Sequence, residues 1–235
     1  MESKEFQKIK EVLYALSNQV NHFYLMGGTA LALCYFHHRE SFDLDFFMKD
    51  FSEKQIAEVI NYLKNMNVET ELIGQNLNDK YAKIMMYRIK FTDGIFCKID
   101  FIEDVFPLLK PCIMVEGVNI ASLEDIYLRK IYTIAGVKKE QSHTGAEIFI
   151  GGRQEAKDFY DLYCLSSIVM PLTSFIHQYG NPTMKEGLIG WFRSYDRMAM
   201  KTGLIDLRTS KPPDYREIEQ HFQKQVDGLI LEEIQ

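Results

Sequence analysis

The most constraining feature of this sequence is the segment 42–48, in which apolar and acidic side chains alternate. Leu44 and Phe46 are interleaved with Asp43 and Asp45. Because successive side chains of a β-strand point to opposite faces, the pattern predicts a strand with one apolar face and with both aspartates on the other face. The fold must therefore include a sheet that carries two neighbouring carboxylates.

A glycine pair lies between a predicted strand and a predicted helix. The short apolar run 23–26 ends at Gly27 and Gly28, and Thr29 precedes a run of good helix formers, 30–33. Glycines let a backbone approach a phosphate closely, and N–H groups at a helix start favour an anion. Alone, such a pair is typical of a tight turn, but next to two aspartates it indicates a phosphate site beside a cation site.

Two carboxylates on one strand face suit Mg²⁺, which prefers oxygen ligands. Side chains two positions apart on a strand are separated by ~6–7 Å at their base, a span that two ions can bridge. Such a pair of ions supports in-line displacement at phosphorus, as in polymerases and nucleotidyltransferases. An isolated pair of this kind is more often a solvated edge-strand face. Arg39 and Ser41 lie just before the aspartates and are candidates for contacting phosphate and the turn, or are ordinary loop residues.

Apolar spacing predicts the other elements. It indicates an opening helix over 3–20 and a helix capped by Ser52. Strands are predicted at 68–73, 84–91 and 95–102, with a turn at 92–94. After about residue 121 the strand signals stop, and helices are predicted at 122–136, 155–170, 171–180, 184–200 and 214–231. The polar segment 138–152 is predicted to be a surface loop.

These elements predict an α+β (α/β) fold with two domains. Residues 1–120 would form a mixed β-sheet with flanking helices, and residues 121–235 a mostly helical domain that closes a nucleotide cleft. The apolar runs are much shorter than the ~20 residues of a membrane span, and the four cysteines lack metal-site or disulfide spacing. The net charge of −6 argues against a protein that coats nucleic acid. We expect a soluble, cytoplasmic protein with no membrane partner.

Four segments together resemble one family. Two of them are residues 25–33, LMGGTALAL, and residues 38–47, HRESFDLDFF. The others are residues 123–132, LEDIYLRKIY, and residues 153–163, RQEAKDFYDLY. In combination they are similar to the AbiEii/AbiGii toxin family of polymerase-β-like nucleotidyltransferases, and the resemblance covers roughly residues 23–165.

The resemblance implies a set of site residues. The expected metal ligands are Asp43 and Asp45, with a third carboxylate from a neighbouring strand. Asp100 fits the strand alternation best for that third position, while Glu103 and Asp104 compete for it. The expected catalytic residues are Asp43, Asp45, Asp100, Lys130 and Asp158. The expected nucleotide-binding residues are Gly27, Gly28, Thr29, Arg39, Ser41, Lys130 and Lys157.

Two residues of the last motifs need comment. Taken without the family, Lys130 and Asp158 would be read as parts of a solvated helix face, and we expect Lys130 to be replaceable without loss of stability. Relatives often carry an arginine soon after the lysine, whereas here the segment 136–152 is longer and the arginine falls at Arg153. This departure leaves the role of Arg153 open.

The implied reaction is transfer of a nucleoside monophosphate from an NTP to an acceptor hydroxyl, with two Mg²⁺ ions as cofactors. The implied setting is a bacterial toxin–antitoxin or phage abortive-infection pair, with RNA such as tRNA as a candidate acceptor and a cognate antitoxin as partner. Two alternatives stay open. One is an aminoglycoside-type small-molecule nucleotidyltransferase, which an acidic acceptor pocket would favour over RNA. The other is a non-catalytic nucleotide-binding module, against which the intact aspartate pair speaks.

Overall fold

The computed structural model describes residues 2–66, 68–136, 138–141, 147–150 and 152–231. The chain divides into two compact units, Met1–Ser122 and Leu123–Gln235. The first unit holds a seven-stranded sheet of mixed direction, and the second is built mostly from helices. The predicted α+β class, a mixed sheet with flanking helices, is confirmed.

The first unit alternates short helices with strands. Its helices are α1 Lys4–Ala15, α2 Gly27–Ala30, which continues as a π-helix over Leu31–Tyr35, and α3 Glu53–Asn65. Its strands are β1 Tyr24–Met26, β2 Asp43–Met48, β3 Glu69–Asn76, β4 Ile84–Lys90, β5 Phe96–Glu103, β6 Ile113–Val115 and β7 Val118–Ile120.

The sheet has the strand order β3-β4-β5-β2-β1-β7-β6. Strand β2 runs parallel to β5 and antiparallel to β1, and β1 runs parallel to β7. The strand that carries the two aspartates is thus the central one and has a neighbour on each side. The alternative that these aspartates mark a solvated edge strand is therefore wrong.

One face of this sheet forms the core of the first unit. Phe23, Phe46 and Phe101 pack with ring centroids 5.2–6.3 Å apart, and α1 packs against β2 and β5. The predicted helix over 3–20 is shorter than expected, because α1 ends at Ala15 and Asn18 adopts a left-handed conformation with φ of 65°. Asparagine tolerates that conformation, which ends a helix.

Local sequence signals explain several boundaries in the first unit. Ser52 caps α3 as predicted, since its hydroxyl accepts a hydrogen bond from the Gln55 N–H at 3.4 Å. The predicted turn between β4 and β5 contains Gly94 at φ +81°. The hairpin β6–β7 was not predicted. Its strands have only three residues each, and its turn places Glu116 and Gly117 at positive φ, as tight hairpin turns require.

The second unit is mostly helical but includes one short hairpin. Its elements are α4 Leu123–Ala135, β8 Lys138–Gln141, β9 Glu147–Ile150, α5 Ala156–Ile168, α6 Leu172–Tyr179, α7 Pro182–Ser194, α8 Arg197–Asp206 and α9 Tyr215–Leu231. Strands β8 and β9 pair antiparallel, so the prediction of a loop over 138–152 is wrong where the chain is described. Residues 142–146 and 151 of that segment lie outside the described residues.

The predicted helix over 184–200 is in fact two helices. Tyr195 has an extended backbone, and the Asp196 carboxylate caps α8 by accepting a hydrogen bond from the Ala199 N–H at 2.9 Å. Aspartate at this position offers the backbone a cap that competes with helix continuation.

Aromatic side chains fill the core of the second unit. Phe159 contacts Trp191, Tyr195 and Phe222 with centroid separations of 5.1–5.8 Å, and all four side chains are buried. Among the described residues no single helix combines the length and apolar composition needed to cross a membrane. Helices α5 and α6 meet that test only as a pair bent by 86°.

Candidate active site

Strand β2 presents Asp43 and Asp45 on the same face of the sheet. Both are half-buried, and they alternate with the fully buried Leu44 and Phe46. The apolar residues anchor the strand in the core, and this fixes the direction of the carboxylates. The predicted same-face arrangement is confirmed.

Strand β5 adds a third carboxylate to this face. In the parallel pairing of β2 with β5, Asp100 lies opposite Asp45, and Lys98 lies opposite Asp43. Paired residues of neighbouring strands share a face, so all four side chains leave the sheet on the same side. Lys98 is a residue that the sequence analysis passed over.

The two competing acidic residues lie elsewhere. Glu103 is opposite Met48 in the pairing and accepts a hydrogen bond from the Lys83 N–H at 3.0 Å. The Asp104 carboxylate accepts one from the Tyr24 hydroxyl at 2.5 Å. Of the three candidates, Asp100 alone lies opposite one of the β2 aspartates.

Asp100 is buried, and only one of its two carboxylate oxygens has a hydrogen-bond partner. Oδ2 accepts a hydrogen bond from Lys98 Nζ at 2.5 Å, whereas Oδ1 is buried without a hydrogen-bond partner. Burial raises the pKa of the Asp100 carboxyl above its ordinary value, the Lys98 ammonium opposes this, and the charge of Asp43 adds to the rise. A single ammonium therefore does not compensate fully for the burial of this carboxylate.

The ammonium of Lys98 responds to the same charges. Burial lowers its pKa, but the hydrogen bond to Asp100 and the charges of Asp100, Asp43 and Asp45 together raise it above the ordinary value. Lys98 is therefore charged at neutral pH.

Whether this face suits a divalent cation can be judged from its donors. Among the described residues, no three Asp, Glu, His or Cys side chains are gathered into a cluster that could hold a metal ion as they stand. Two observations nevertheless fit an oxygen-ligated ion: three carboxylates share one face, and the buried Asp100 Oδ1 has no partner. In donor chemistry, these three carboxylates therefore suit Mg²⁺.

Gly27 is required where it stands for two reasons. Its φ is +79°, a conformation that side chains other than glycine rarely adopt. A Cβ at this position would also lie 2.7 Å from Asp45 Oδ2. The absent side chain thus lets the start of α2 approach the Asp45 carboxylate.

The same turn is tied to the start of β2. Thr29 Oγ1 donates to the Ser41 hydroxyl at 2.8 Å and also contacts the Asp43 carbonyl oxygen. Ser41 therefore bonds to the turn, as one of the two interpretations of this residue held. Arg39 is buried, and its Nη1 donates to the Glu40 carbonyl oxygen at 2.9 Å.

The loop before β2 is also fixed to the N-terminus of α1. The Glu40 carboxylate accepts hydrogen bonds from the Ser3 N–H at 2.7 Å and from the Ser3 hydroxyl at 2.6 Å. Ser3 in turn caps α1 through the Phe6 N–H. These contacts restrict the loop that leads into the aspartate strand.

In the second unit, Lys130 of α4 lies between two aspartates of α5. Its Nζ is 2.6 Å from Asp158 Oδ1 and 2.7 Å from Asp161 Oδ2. Arg153 Nε is 2.6 Å from Asp158 Oδ2. Both aspartates are fully buried, and the lysine side chain is 8% exposed. The interpretation of Lys130 and Asp158 as solvated is therefore wrong.

The sequence comparison decides the family. A model of one family, described as "Nucleotidyl transferase AbiEii toxin, Type IV TA system", matches residues 11–231. The chain belongs to the AbiEii nucleotidyltransferase toxin family. No curated protein matches it at a significant level.

Solved structures share the AbiEii-family fold seen here. JHP933 from Helicobacter pylori is 18% identical with a TM-score of 0.62, and the match covers 99% of this chain and 97% of that one. The nucleotidyltransferase toxin MenT4 from Mycobacterium tuberculosis is 17% identical with a TM-score of 0.55, and the match covers 96% and 82%. At these identities the likeness shows the fold alone.

In this AbiEii-family chain, two neighbouring residues of the last motif, Lys157 and Asp158, differ in burial and in ionic partners. Burial raises the pKa of Asp158, but the charges and hydrogen bonds of Lys130 and Arg153 outweigh burial and lower it, so the carboxylate is charged. Lys157 lies outside this ion cluster, is 37% exposed and pairs with Glu155 at 3.0 Å.

The contact between Lys98 and Asp100 escaped the sequence analysis although a signal existed for it. Lys98 precedes Asp100 by two residues and therefore shares its strand face.

Proposed function

We propose that this chain transfers a nucleoside monophosphate from an NTP to an acceptor hydroxyl, with Asp43, Asp45 and Asp100 as ligands of Mg²⁺. The observation that carries the proposal is the meeting of three carboxylates on adjoining parallel strands, one of them with a buried oxygen that has no partner. Family membership supports the reaction class.

The chemistry divides between the ions and the chain. When bound, Mg²⁺ would activate the attacking oxygen and offset the charge of the leaving pyrophosphate. The acceptor oxygen forms a bond to the α-phosphorus, the bond from that phosphorus to the bridging oxygen breaks, and pyrophosphate leaves with the electron pair. Asp100, the carboxylate opposite Asp45, is the candidate to take the acceptor's proton.

The glycine turn would hold the triphosphate. Gly27, Gly28 and Thr29 begin a helix that continues through the π-helical segment, and backbone N–H groups at a helix start favour an anion. The hydrogen bond from Thr29 to Ser41 keeps this turn beside the start of β2. The phosphates would therefore lie next to the proposed cation ligands. Arg39 would support the loop through its contact with the Glu40 carbonyl.

For the second unit we assign binding and positioning to different cations. Lys130 is held by two buried carboxylates, so direct contact with a phosphate would require it to leave them. Arg153 and Lys157 are more exposed, at 44% and 37% of their side chains. Within this unit we propose Arg153 and Lys157 as the candidates for binding nucleotide, and we assign to Lys130 and Asp158 the positioning of α5.

The family belongs to type IV toxin–antitoxin systems, which implies a cognate antitoxin. We propose RNA as the acceptor and the cytoplasm as the place of action, because NTPs and RNA are found there. Small hydroxyl compounds such as aminoglycosides are the acceptors to test beside RNA.

The experiment is a transfer assay with each of the four NTPs, labelled in turn at the α- or the γ-phosphate. Purified protein with Mg²⁺ is offered total RNA or an aminoglycoside. We expect α-label, and no γ-label, to become attached to RNA, and Asp43→Asn at an equal folded fraction to transfer none. Attached γ-label would indicate phosphoryl transfer instead, and equal transfer by the variant would refute the site.

A further inference from the structure

Lys98 is the one ammonium that the pairing of β2 with β5 brings onto the carboxylate face among the residues described. Its Nζ lies 2.5 Å from Asp100 Oδ2, and in the strand pairing it stands opposite Asp43. Asp100 Oδ1, buried beside this contact, has no hydrogen-bond partner. Lys98 thus provides a partner for one oxygen of the Asp100 carboxylate, and the other oxygen has no hydrogen-bond partner.

The strength of this contact depends on where its two partners lie. The Asp100 side chain is 9% exposed, whereas that of Lys98 is 37% exposed. Lysine carries its charge on a flexible stem of four carbons, so Nζ can turn to solvent without disturbing the strand. The aspartate is fixed, and the ammonium is displaceable.

The charges on this face favour such an exchange. A divalent ion offers two charges and several coordination positions to oxygen ligands, while an ammonium offers one charge and three hydrogen bonds. An ion that reaches Asp100 therefore competes directly with Lys98 for the same oxygen.

We propose that Lys98 is a resident counter-cation of the acidic face, which stabilises the carboxylates in the metal-free protein and must release Asp100 when a divalent cation binds. Lys98 thereby sets the metal affinity of the site and couples metal uptake to freeing Asp100 for the reaction. This inference rests on the proposed function, in which Asp43, Asp45 and Asp100 hold the metal.

The test is direct Mn²⁺ binding, followed by the loss of the free-ion electron paramagnetic resonance signal, in the full-length protein without nucleotide. Lys98→Met removes the charge but keeps most of the stem. We expect it to bind Mn²⁺ at least ~10-fold more tightly than wild type, because an opposing charge has been removed from within a few ångströms of the ligands. Lys98→Arg keeps the charge and should bind with an affinity close to that of wild type.

A matched control comes from the same sheet. Lys90 on β4 is also partly exposed, and its Nζ lies 3.5 Å from the exposed Glu69 rather than from a proposed ligand. Lys90→Met should leave the Mn²⁺ affinity unchanged. A second readout is the melting temperature. In EDTA, Lys98→Met should have a lower melting temperature than wild type. When Mn²⁺ is added, its melting temperature should rise by more than that of wild type.

The outcomes separate the two proposals. Equal Mn²⁺ affinities for wild type, Lys98→Met and Lys90→Met, together with weaker binding by Asp43→Asn, would overturn the role of Lys98 and leave the metal site standing. Absence of Mn²⁺ binding by wild type, or full binding by Asp43→Asn, would overturn the metal site and this inference with it. If Lys98→Met binds Mn²⁺ more tightly than wild type and Lys90→Met does not, both the metal site and the role of Lys98 are supported.

Discussion

The two units of this chain use aspartates in opposite ways. On the sheet face of the first unit, Asp43 and Asp45 are half-buried, and the buried Asp100 pairs with the partly exposed Lys98. In the helical unit, the fully buried Asp158 and Asp161 flank the buried Lys130, and Arg153 also pairs with Asp158.

Burial explains the difference. Asp158 and Asp161 are fully buried, and buried carboxylates remain charged only when they are paired. Asp43 and Asp45 are half-buried, so water can offset part of the repulsion between their charges. The comparison indicates that the helical cluster holds a fixed arrangement, and it supports our proposal that the sheet face takes up a cation.

The largest expected effect is the loss of stability caused by a substitution in the helical ion cluster. Lys130→Met leaves two buried carboxylates without their shared ammonium, which should lower the free energy of unfolding by ~3–5 kcal/mol. Urea unfolding measures this, with Lys157→Met as the matched control, because that lysine is partly exposed and pairs with an exposed glutamate at the start of its own helix. A Lys130→Met protein as stable as the control would contradict the contrast between the units.

The second expected effect is a loss of transfer activity when the turn at Gly27 can no longer approach Asp45 closely. Gly27→Ala would place a Cβ 2.7 Å from Asp45 Oδ2, so the carboxylate must move, and misplacement of about 1 Å can reduce transfer by about 10²-fold. Gly94→Ala has the same positive φ but meets nothing within 4 Å. It should share the backbone strain of ~1–2 kcal/mol without the loss of transfer. Equal activities of the two variants would show that the close approach does not matter.

A smaller effect is expected at acid pH. The lowered pKa of Asp158 means that its contribution to stability is fully present above 3.8, its ordinary value, and is lost as pH falls through the folded-state pKa. Arg153→Gln removes one cause of the lowering and should cost ~1 kcal/mol at pH 7, since the arginine is partly exposed. The difference from wild type should vanish in acid.

Unfolding free energies measured between pH 2 and pH 7, roughly the range of carboxyl titration, follow this change. Arg88→Gln is the control, because Arg88 of β4 pairs with the exposed Glu71 of the neighbouring strand β3. A cost of Arg153→Gln that is the same at all pH values would indicate lost packing and not an ion pair.

The parts of the structure that follow from local periodicity could be predicted from the sequence. The alternation around Asp43 and Asp45 predicts their common face, because only one orientation of the strand buries Leu44 and Phe46. Helix α3 and its Ser52 cap follow from equally local signals. Strand β5 could be recognised, but that Asp100 lies opposite Asp45 depends on a long-range pairing that spacing alone does not determine.

What escaped prediction depends on tertiary context. Helix α4 packs against both α5 and α7, and Lys130 is enclosed because its partners come from α5. Its own sequence looks like that of a half-exposed helix. The hairpin β8–β9 has strands of four residues in a polar segment, and the break at Tyr195 depends on a single cap at Asp196. These features are too short to produce a periodic signal.

The most direct test of the central claim is the free energy of unfolding of wild type and Asp43→Asn, in EDTA and in Mg²⁺. If the sheet face is a cation site, the variant removes one of three crowded carboxylates. Its stability in EDTA should then equal or exceed that of wild type, and Mg²⁺ should stabilise wild type only. Loss of stability by the variant in EDTA, or equal stabilisation of both proteins by Mg²⁺, would contradict the account.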